Sequence, residues 1–406
     1  AHACHADAAT TPLRLRVATF LVSLSLTSAS RTTLCPAFGS PNHPLTFPSA
    51  SRLLLRGGSQ AASASASLTK RGISMSSDGA KKARTGKRIG THDGTFHCDE
   101  ALACFLLKRT KEFEGSVVTR TRDPAVLDTM DVVVDVGGTY DHEKRRYDHH
   151  QRGFEETFDA ERKTKLSSAG LVYKHWGMEV IAGLMPGHSQ DTVSLIYQKV
   201  YDNVIEELDA VDNGVACYPS DLVPKYKVSS TLPQRVGGLN PFWTEEGVKD
   251  MDERFAKASA LAGGEFLDKC NYYIKAWLPG RDLVDKAVAA RATVDASGQI
   301  LKFDRGFPWK EHLFDVEVEE KIQGKILYVL FPDESGKWRI QCVPERPDSF
   351  ESRKGLPEKW RGVRDDALSE LSGIPGCIFV HASGFIGGCA TYEGALKMAQ
   401  MSIQGV

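Results

Sequence analysis

Residues 131–154 read DVVVDVGGTYDHEKRRYDHHQRGF. The stretch opens on an unbroken Val run of the kind buried on both faces of a parallel sheet. It turns at Gly137 and Gly138, then crowds Asp148, His149 and His150 together. Packing gives no reason to set an acid beside two imidazoles, so the run predicts a buried strand that ends at chemistry. Upstream, RIGTHDGTFHCDEALACFLLKRTK (88–111) predicts a short strand, a polar turn and a helix with Leu102, Phe105 and Leu106 on one face. GSVVTRTRD (115–123) predicts a second strand. Strand, helix, strand, short helix, strand is the order of an open, mostly parallel α/β sheet. Such sheets bind ligands beyond the carboxyl ends of their strands.

The polar residues fall at those ends. His92 follows the first strand, His97 and Asp99 close the turn before the helix, and Asp135 ends the Val strand. A long amphipathic helix from about Asp191 turns Val193, Ile196, Val200, Val204 and Leu208 inward. It ends in EELDAVDNG (206–214), with Asp209 and Asp212 at its C-terminal end. Each residue alone has a plain reading: Asp99 as a helix cap, Asp209 or Asp212 as a solvated helix end. Together, four segments bring imidazoles and carboxylates to one sheet edge. A His/Asp set without cysteine suits Mn²⁺ or Mg²⁺ better than a structural zinc. Ligands suffice for two divalent ions, with Asp135 the natural bridge. Two ions about 4 Å apart clamp a phosphoester during hydrolysis.

The 406 residues, 41% apolar and 25% charged, fit a soluble globular chain of two domains and a tail. No apolar run reaches the roughly 18 residues of a membrane span, so no membrane partner is expected. Residues 1–88 carry twelve Lys and Arg against Asp7 and Asp78, a charge of +10; the remainder has 39 basic and 50 acidic residues, a charge of −11. An acidic folded part does not grip nucleic acid by bulk charge. A phosphate-bearing substrate therefore needs bound cations or a confined basic patch. The nine cysteines are scattered with no CxxC pair, which fits a reducing compartment. Residues 1–86 read as a disordered targeting or linker segment, rich in Ser, Ala and Arg like an organelle transit peptide. VATFLVSLSL (17–26) also resembles a secretory apolar region, and KKARTGKR (81–88) a nuclear signal. The expected locations are a mitochondrion or other organelle and the nucleus or nucleolus, with cytosol for a form lacking the tail.

The loop-rich, proline-containing stretch 216–243 divides a metal-binding domain (87–240) from a smaller C-terminal α/β substrate domain (241–406). The site is expected in the cleft between them. TLPQRVGGLNP (231–241) sets Arg235 in a Gly-flanked loop, either as a phosphate clamp or as an ordinary surface arginine. Residues 245–292 read as helical, and KILYVLFPDESGKWRIQCVP (325–344) as a hairpin. IFVHASGFIGG (378–388) reads as a strand entering a Gly-rich loop, either an ordinary αβ turn or one whose Gly387 and Gly388 N–H groups cradle a phosphate before a helix. Basic residues in 346–364 lie among Phe350 and Trp360, which suits single-stranded RNA or a solvated face.

RYDHHQRGF resembles the signature of the DHH phosphoesterase superfamily. With IGTHDGTFHCDEALACFLL, VVVDVGGTYD, TKLSSAGLVY, ELDAVDNG, WRIQCVPERPDSFESRKGLPEKWRG and GIPGCIFVHASGFIGG, the chain resembles the melanocyte-proliferating-gene exonuclease family from residue 88 to about 403. That resemblance implies a two-domain DHH-type phosphoesterase: a metal-dependent hydrolase using two Mn²⁺ or Mg²⁺ ions. The implied activity is 3′→5′ exonuclease action on single-stranded RNA 3′ ends, in mitochondria and in the nucleus or nucleolus; a homodimer is compatible with it. His92, His97 and Asp99 match the first motif, and Asp135 the bridging carboxylate. His149 matches a metal ligand with Asp148 supporting it, and His150 the residue facing the scissile phosphate. Asp212, rather than Asp209, matches the late ligand; His381 and Ser383 match a C-terminal substrate loop. One departure stands out: His97 replaces the Asp many members carry, with one residue more after His92. Two rivals remain. A small-molecule phosphoesterase acting on nanoRNA or nucleotides is favoured by the acidic folded part. A non-catalytic regulatory binding protein is disfavoured by the intact ligand set.

Overall fold

The computed structural model describes residues 86–219 and 221–405. The targeting readings on the N-terminal segment lie outside the described residues. The first sheet is built from β1 (Arg88–Thr91), β2 (Val117–Arg120), β3 (Val132–Val134), β4 (Tyr140–Asp141) and β5 (Arg146–Tyr147). Its order is β2-β1-β3-β5-β4, with β1–β2, β1–β3 and β3–β5 parallel and β4–β5 antiparallel. The Val run is the central strand, buried throughout, as its lack of polar alternation requires. Helices α1 (Cys98–Leu107) and α2 (Pro124–Leu127) make the crossovers.

Next come α3 (Ser168–Leu184) and a rod formed by α4 (Gln190–Val200), a π-helical turn (Tyr201–Ile205) and α5 (Glu206–Asp212). Val193, Ile196, Val200 and Leu208 of the rod are buried, matching the apolar spacing. After α6 (Leu232–Gly237), the chain forms α7 (Met251–Tyr272), α8 (Gly280–Ala289) and α9 (Arg291–Val294). The second sheet joins β6 (Ile300–Lys302), β7 (Tyr328–Pro332), β8 (Trp338–Cys342), β9 (Cys377–Val380) and β10 (Ile386–Cys389) in the order β6-β7-β8-β10-β9. Only β6–β7 is parallel there, and β7–β8 is the expected hairpin. Helices α10 (Lys310–Glu319), α11 (Asp365–Ser372) and α12 (Tyr392–Gln404) complete it. Among the described residues, no helix is long and apolar enough to cross a membrane.

The expected domain border at residue 240 falls inside the first apolar core. Phe255, Ala258, Ala262, Phe266 and Cys270 of α7 belong to that core, together with Leu102 and Leu106 of α1. Ser259 Oγ donates to the Ala101 carbonyl at 2.8 Å. Gly263 permits the approach: a Cβ there would lie 2.2 Å from the Phe105 ring. The separate apolar clusters of the second sheet begin at Val284 and Ile300. The loop-rich stretch 216–243 is thus a detour within the first body.

Asp209, fully buried, ties the rod to α3. Its Oδ1 accepts from Ser167 N–H at 2.9 Å and Ser167 Oγ at 2.7 Å, and its Oδ2 from Tyr201 O–H at 3.2 Å. Gly170 leaves room for it, since a Cβ would come within 2.3 Å of the carboxylate. Burial pushes the Asp209 carboxyl up to about 7, although these donors pull the other way. The unfolded carboxyl, near 3.9, loses its proton first. Between those values the folded state holds more protons, so this group's stabilising contribution is full below about pH 4 and falls as pH rises to 7. Wild type is therefore expected to lose a few kcal/mol relative to Asp209→Asn across that window, read as melting temperature against pH. A difference that grows in favour of wild type as pH rises contradicts it.

Candidate metal centre

β1, β3 and β5 all end at one edge, where they release His92, Asp135 and the Asp148–His150 run. Asp135 itself has φ = 58°, a left-handed conformation that costs most residues about 1 kcal/mol and that Asp adopts more readily than most. Its N–H still binds the Tyr147 carbonyl at 3.0 Å. Gly137 follows at φ = 100°, which only glycine accepts without strain. The chain reverses there, and Asp135 lines a cleft of about 490 Å³ with His92, His97, Asp99, His150 and Asp212.

His92 is fixed by its Nδ1–H, which donates to the Asp93 carbonyl at 2.9 Å. Its Nε2 lies 3.1 Å from Glu100 Oε1 and 3.3 Å from Asp135 Oδ2. His149 Nε2 lies 3.0 Å from Asp212 Oδ2 and 3.4 Å from Asp135 Oδ1, close ion-pair contacts with both carboxylates. His149 Nε2, Asp135 Oδ1 and Asp99 Oδ1 are all buried without a hydrogen-bond partner. An unsatisfied buried polar atom costs about 1–3 kcal/mol, more when charged. Three orphans in one cleft, all nitrogen or carboxylate oxygen, fit divalent cations of the Mn²⁺ or Mg²⁺ kind. Three sets bring their ligand atoms within 4.8 Å of one another: His92, His97, Glu100 and Asp135; Asp135, His149 and His150; His97, Asp99 and Asp212. Asp135 is common to two sets, as a bridging ligand must be.

The electrostatics agree. Burial pushes the Asp99 carboxyl up, reinforced by Asp135, Asp212 and Glu100. Burial works against ionising Asp135, yet His149 and His92 overrule it and hold the carboxyl at about 2. Both imidazoles resist burial in turn and are raised to about 10 by Asp135, with Glu100 acting on His92 and Asp212 on His149. Protons thus occupy the positive role that a cation would fill. Cation binding must displace them, so affinity rises with pH.

The family model MYG1_exonuc, described as an uncharacterised protein family (UPF0160), matches residues 88–403. The mouse protein named "MYG1 exonuclease" is 50% identical over 323 residues, 78% of this chain and 84% of that protein. The chain belongs to the MYG1 exonuclease family. A Dictyostelium discoideum "MYG1 protein" is 50% identical over 77% of this chain and 94% of its own length. The crystal structure of RecJ with Mn²⁺ from Thermus thermophilus aligns at 14% identity and a TM-score of 0.23. It covers 79% of this chain, which spans about half of that structure (53%), and is too distant to bear on the site.

In this MYG1-family chain, the six expected metal-centre residues, His92, His97, Asp99, Asp135, His149 and Asp212, meet in one place. Asp209 does not join them; it caps α3. Two members of the site escaped sequence reasoning. Glu100 is fully buried, binds the His97 N–H at 2.9 Å and faces His92. Arg122, two residues beyond β2, is the one Lys or Arg lining the cleft among the described residues, 3.4 Å from Asp93. Its position past a strand end was the available signal. Asp148 supports His150 rather than His149: its Oδ1 accepts from the His150 ring at 2.8 Å, and its Oδ2 from Gly138 N–H at 2.6 Å.

The expected substrate residues fare differently. Every lining residue of the cleft falls between 92 and 237, so none comes from 241–406. Arg235 lies in α6, not a loop, and its guanidinium pairs with Glu265 at 2.8 Å away from the lining. Gly387 and Gly388 form part of β10, paired on both sides, so they are no phosphate loop. At Gly387 a Cβ would lie 3.1 Å from the Phe379 carbonyl, tight against fixed backbone. His381 and Ser383 hydrogen-bond each other at 2.9 Å in the exposed β9–β10 turn, outside the cleft. The basic run 346–364 is largely committed elsewhere: Arg353 pairs with buried Glu317 at 2.7 Å, Lys354 binds the Ile403 carbonyl at 2.7 Å, and Trp360 is fully buried.

Proposed function

We propose that this chain is a metal-dependent phosphodiester hydrolase, acting as a 3′→5′ exonuclease on single-stranded RNA. The observation that carries the hydrolase is the trio of orphaned ligand atoms, Asp99 Oδ1, Asp135 Oδ1 and His149 Nε2, in one cleft. Bound divalent ions supply activation of water and neutralisation of developing phosphate charge. Asp135 holds the centre of the ligand set. Asp148 orients the His150 ring through Nδ1 and leaves its Nε2 for the substrate. Arg122 adds a positive charge at the rim. The exonuclease names of the relatives support the substrate class.

One observation favours the small-nucleotide rival: among the described residues Arg122 is the one Lys or Arg in the lining, and a long strand needs more. The deciding experiment offers the purified chain labelled RNA, DNA and dinucleotides, with and without Mn²⁺. Metal-dependent release of nucleotides from RNA 3′ ends, faster than dinucleotide cleavage, supports the exonuclease. Preference for the dinucleotide replaces it with the small-molecule phosphoesterase. Residues 1–86 direct the protein to an organelle, and a form lacking them serves nucleus or cytosol. Imaging tagged full-length protein against one lacking residues 1–80 is expected to show organelle import only for the first, with equal nuclease activity. Identical distributions overturn the targeting role.

A further inference from the structure

A second cleft, of about 730 Å³, shares no lining residue with the metal centre. One wall is a face of α8, with Leu283 and Ala287; the other is the segment after β6. Lys275, Lys286, Lys302 and Arg305 line it, against Asp304 as its one acid. All four cations are exposed, and none takes part in an ion pair among the described residues. Neighbouring Arg281, by contrast, is held between Asp285 and Glu319. Lys302 is positioned by aromatic faces, 4.8 Å from the Tyr392 ring centre and 5.7 Å from that of Trp338. Phe307, half-buried and edge-on to Phe303 at 4.6 Å, adds an aromatic surface to the wall.

In a folded part of net charge −11, a net +3 gathered on one apolar cleft runs against the trend. Its size lies in the range of about 300–1,000 Å³ typical of ligand sites. Apolar and aromatic walls take a base, and unpaired cations take the flanking phosphates, the combination that holds single strands without sequence preference. We infer that this cleft is an exosite for single-stranded nucleic acid, holding part of the strand away from the hydrolytic centre. This rests on the nuclease reading and deepens it: among the described residues the metal cleft offers a strand one Lys or Arg, Arg122, and the second cleft offers four.

The test uses the full chain in EDTA, so that binding is read without hydrolysis, and a fluorescent RNA of about ten nucleotides. The Lys275→Ala/Lys286→Ala/Arg305→Ala variant changes exposed, unpaired side chains and is expected to keep its melting temperature. Its Kd for the RNA is expected to rise on the order of tenfold, with the log–log salt slope flattened by about 2, since each lost phosphate contact removes roughly 0.7 on a single strand. The three single variants are expected to give partial steps of the same sign. Unchanged affinity and slope overturn the exosite. AMP competing with the RNA at equal affinity also overturns it, because the cleft then takes one nucleotide rather than a strand. Dinucleotide hydrolysis by wild type in Mn²⁺ separates the two readings. If that activity is present while the triple variant binds RNA normally, only the exosite fails. If wild type hydrolyses no phosphodiester, the nuclease itself fails.

Discussion

Asp135→Asn is expected to abolish hydrolysis in Mn²⁺ and in Mg²⁺ alike, by a factor on the order of 10³ or more, the scale of losing a preorganised charge at a phosphoryl centre. The carboxylate belongs to two of the three ligand sets, so no alternative ion rescues it. Both its oxygens face imidazoles: Oδ2 lies 3.3 Å from His92, and Oδ1, without a hydrogen-bond partner, lies 3.4 Å from His149 and 3.5 Å from His150. An amide keeps the shape but replaces one oxygen with a donor and removes the charge. The φ of 58° suits Asn as well as Asp, so the backbone is not the reason for any loss. Steady-state rates across a metal series, with bound metal quantified, read the outcome. More than a tenth of wild-type activity in any metal contradicts a shared carboxylate.

His150→Ala is expected to lower turnover by about 10²–10³ while leaving bound metal nearly intact. The ring is 62% exposed at the cleft, against 7% for His149. Its Nδ1 is taken by Asp148 at 2.8 Å, so the nitrogen nearest Asp135 is already committed and Nε2 remains for substrate. His149→Ala is expected to do the opposite and lose metal, because its Nε2 is one of the orphans. Metal content of the two variants, beside their kcat values, divides the roles. Loss of metal from His150→Ala makes that imidazole a ligand and contradicts the division.

The parts legible in the sequence were those with a local cause. The Val run, the β1–α1–β2 grammar and the α4–α5 rod follow from hydrophobic periodicity, and the residues past β1 and β3 follow from the strand-end rule. What escaped had non-local causes. Helix α3 buries several sides rather than one stripe, so its period is weak. Asp209 and Asp212 sit three residues apart near one helix end, and only depth separates the α3 cap from the ligand. Glu100 reads as an ordinary helix former until His97 and His92 close over it. Gly387 and Gly388 look like a loop because glycine favours turns. The close approach of the Phe379 backbone carbonyl to Gly387 is visible only in the folded sheet. The border near residue 240 misled for a similar reason: loop composition marks where the chain leaves one element, not where α7 packs next.

The most direct measurement is an anomalous-scattering map from a crystal of the full chain soaked in Mn²⁺. The expected result is two peaks about 4 Å apart, both within coordination distance of Asp135, one beside His92 and the other beside His149. No peak in the cleft, or peaks that do not touch Asp135, contradicts a two-ion centre built on that carboxylate.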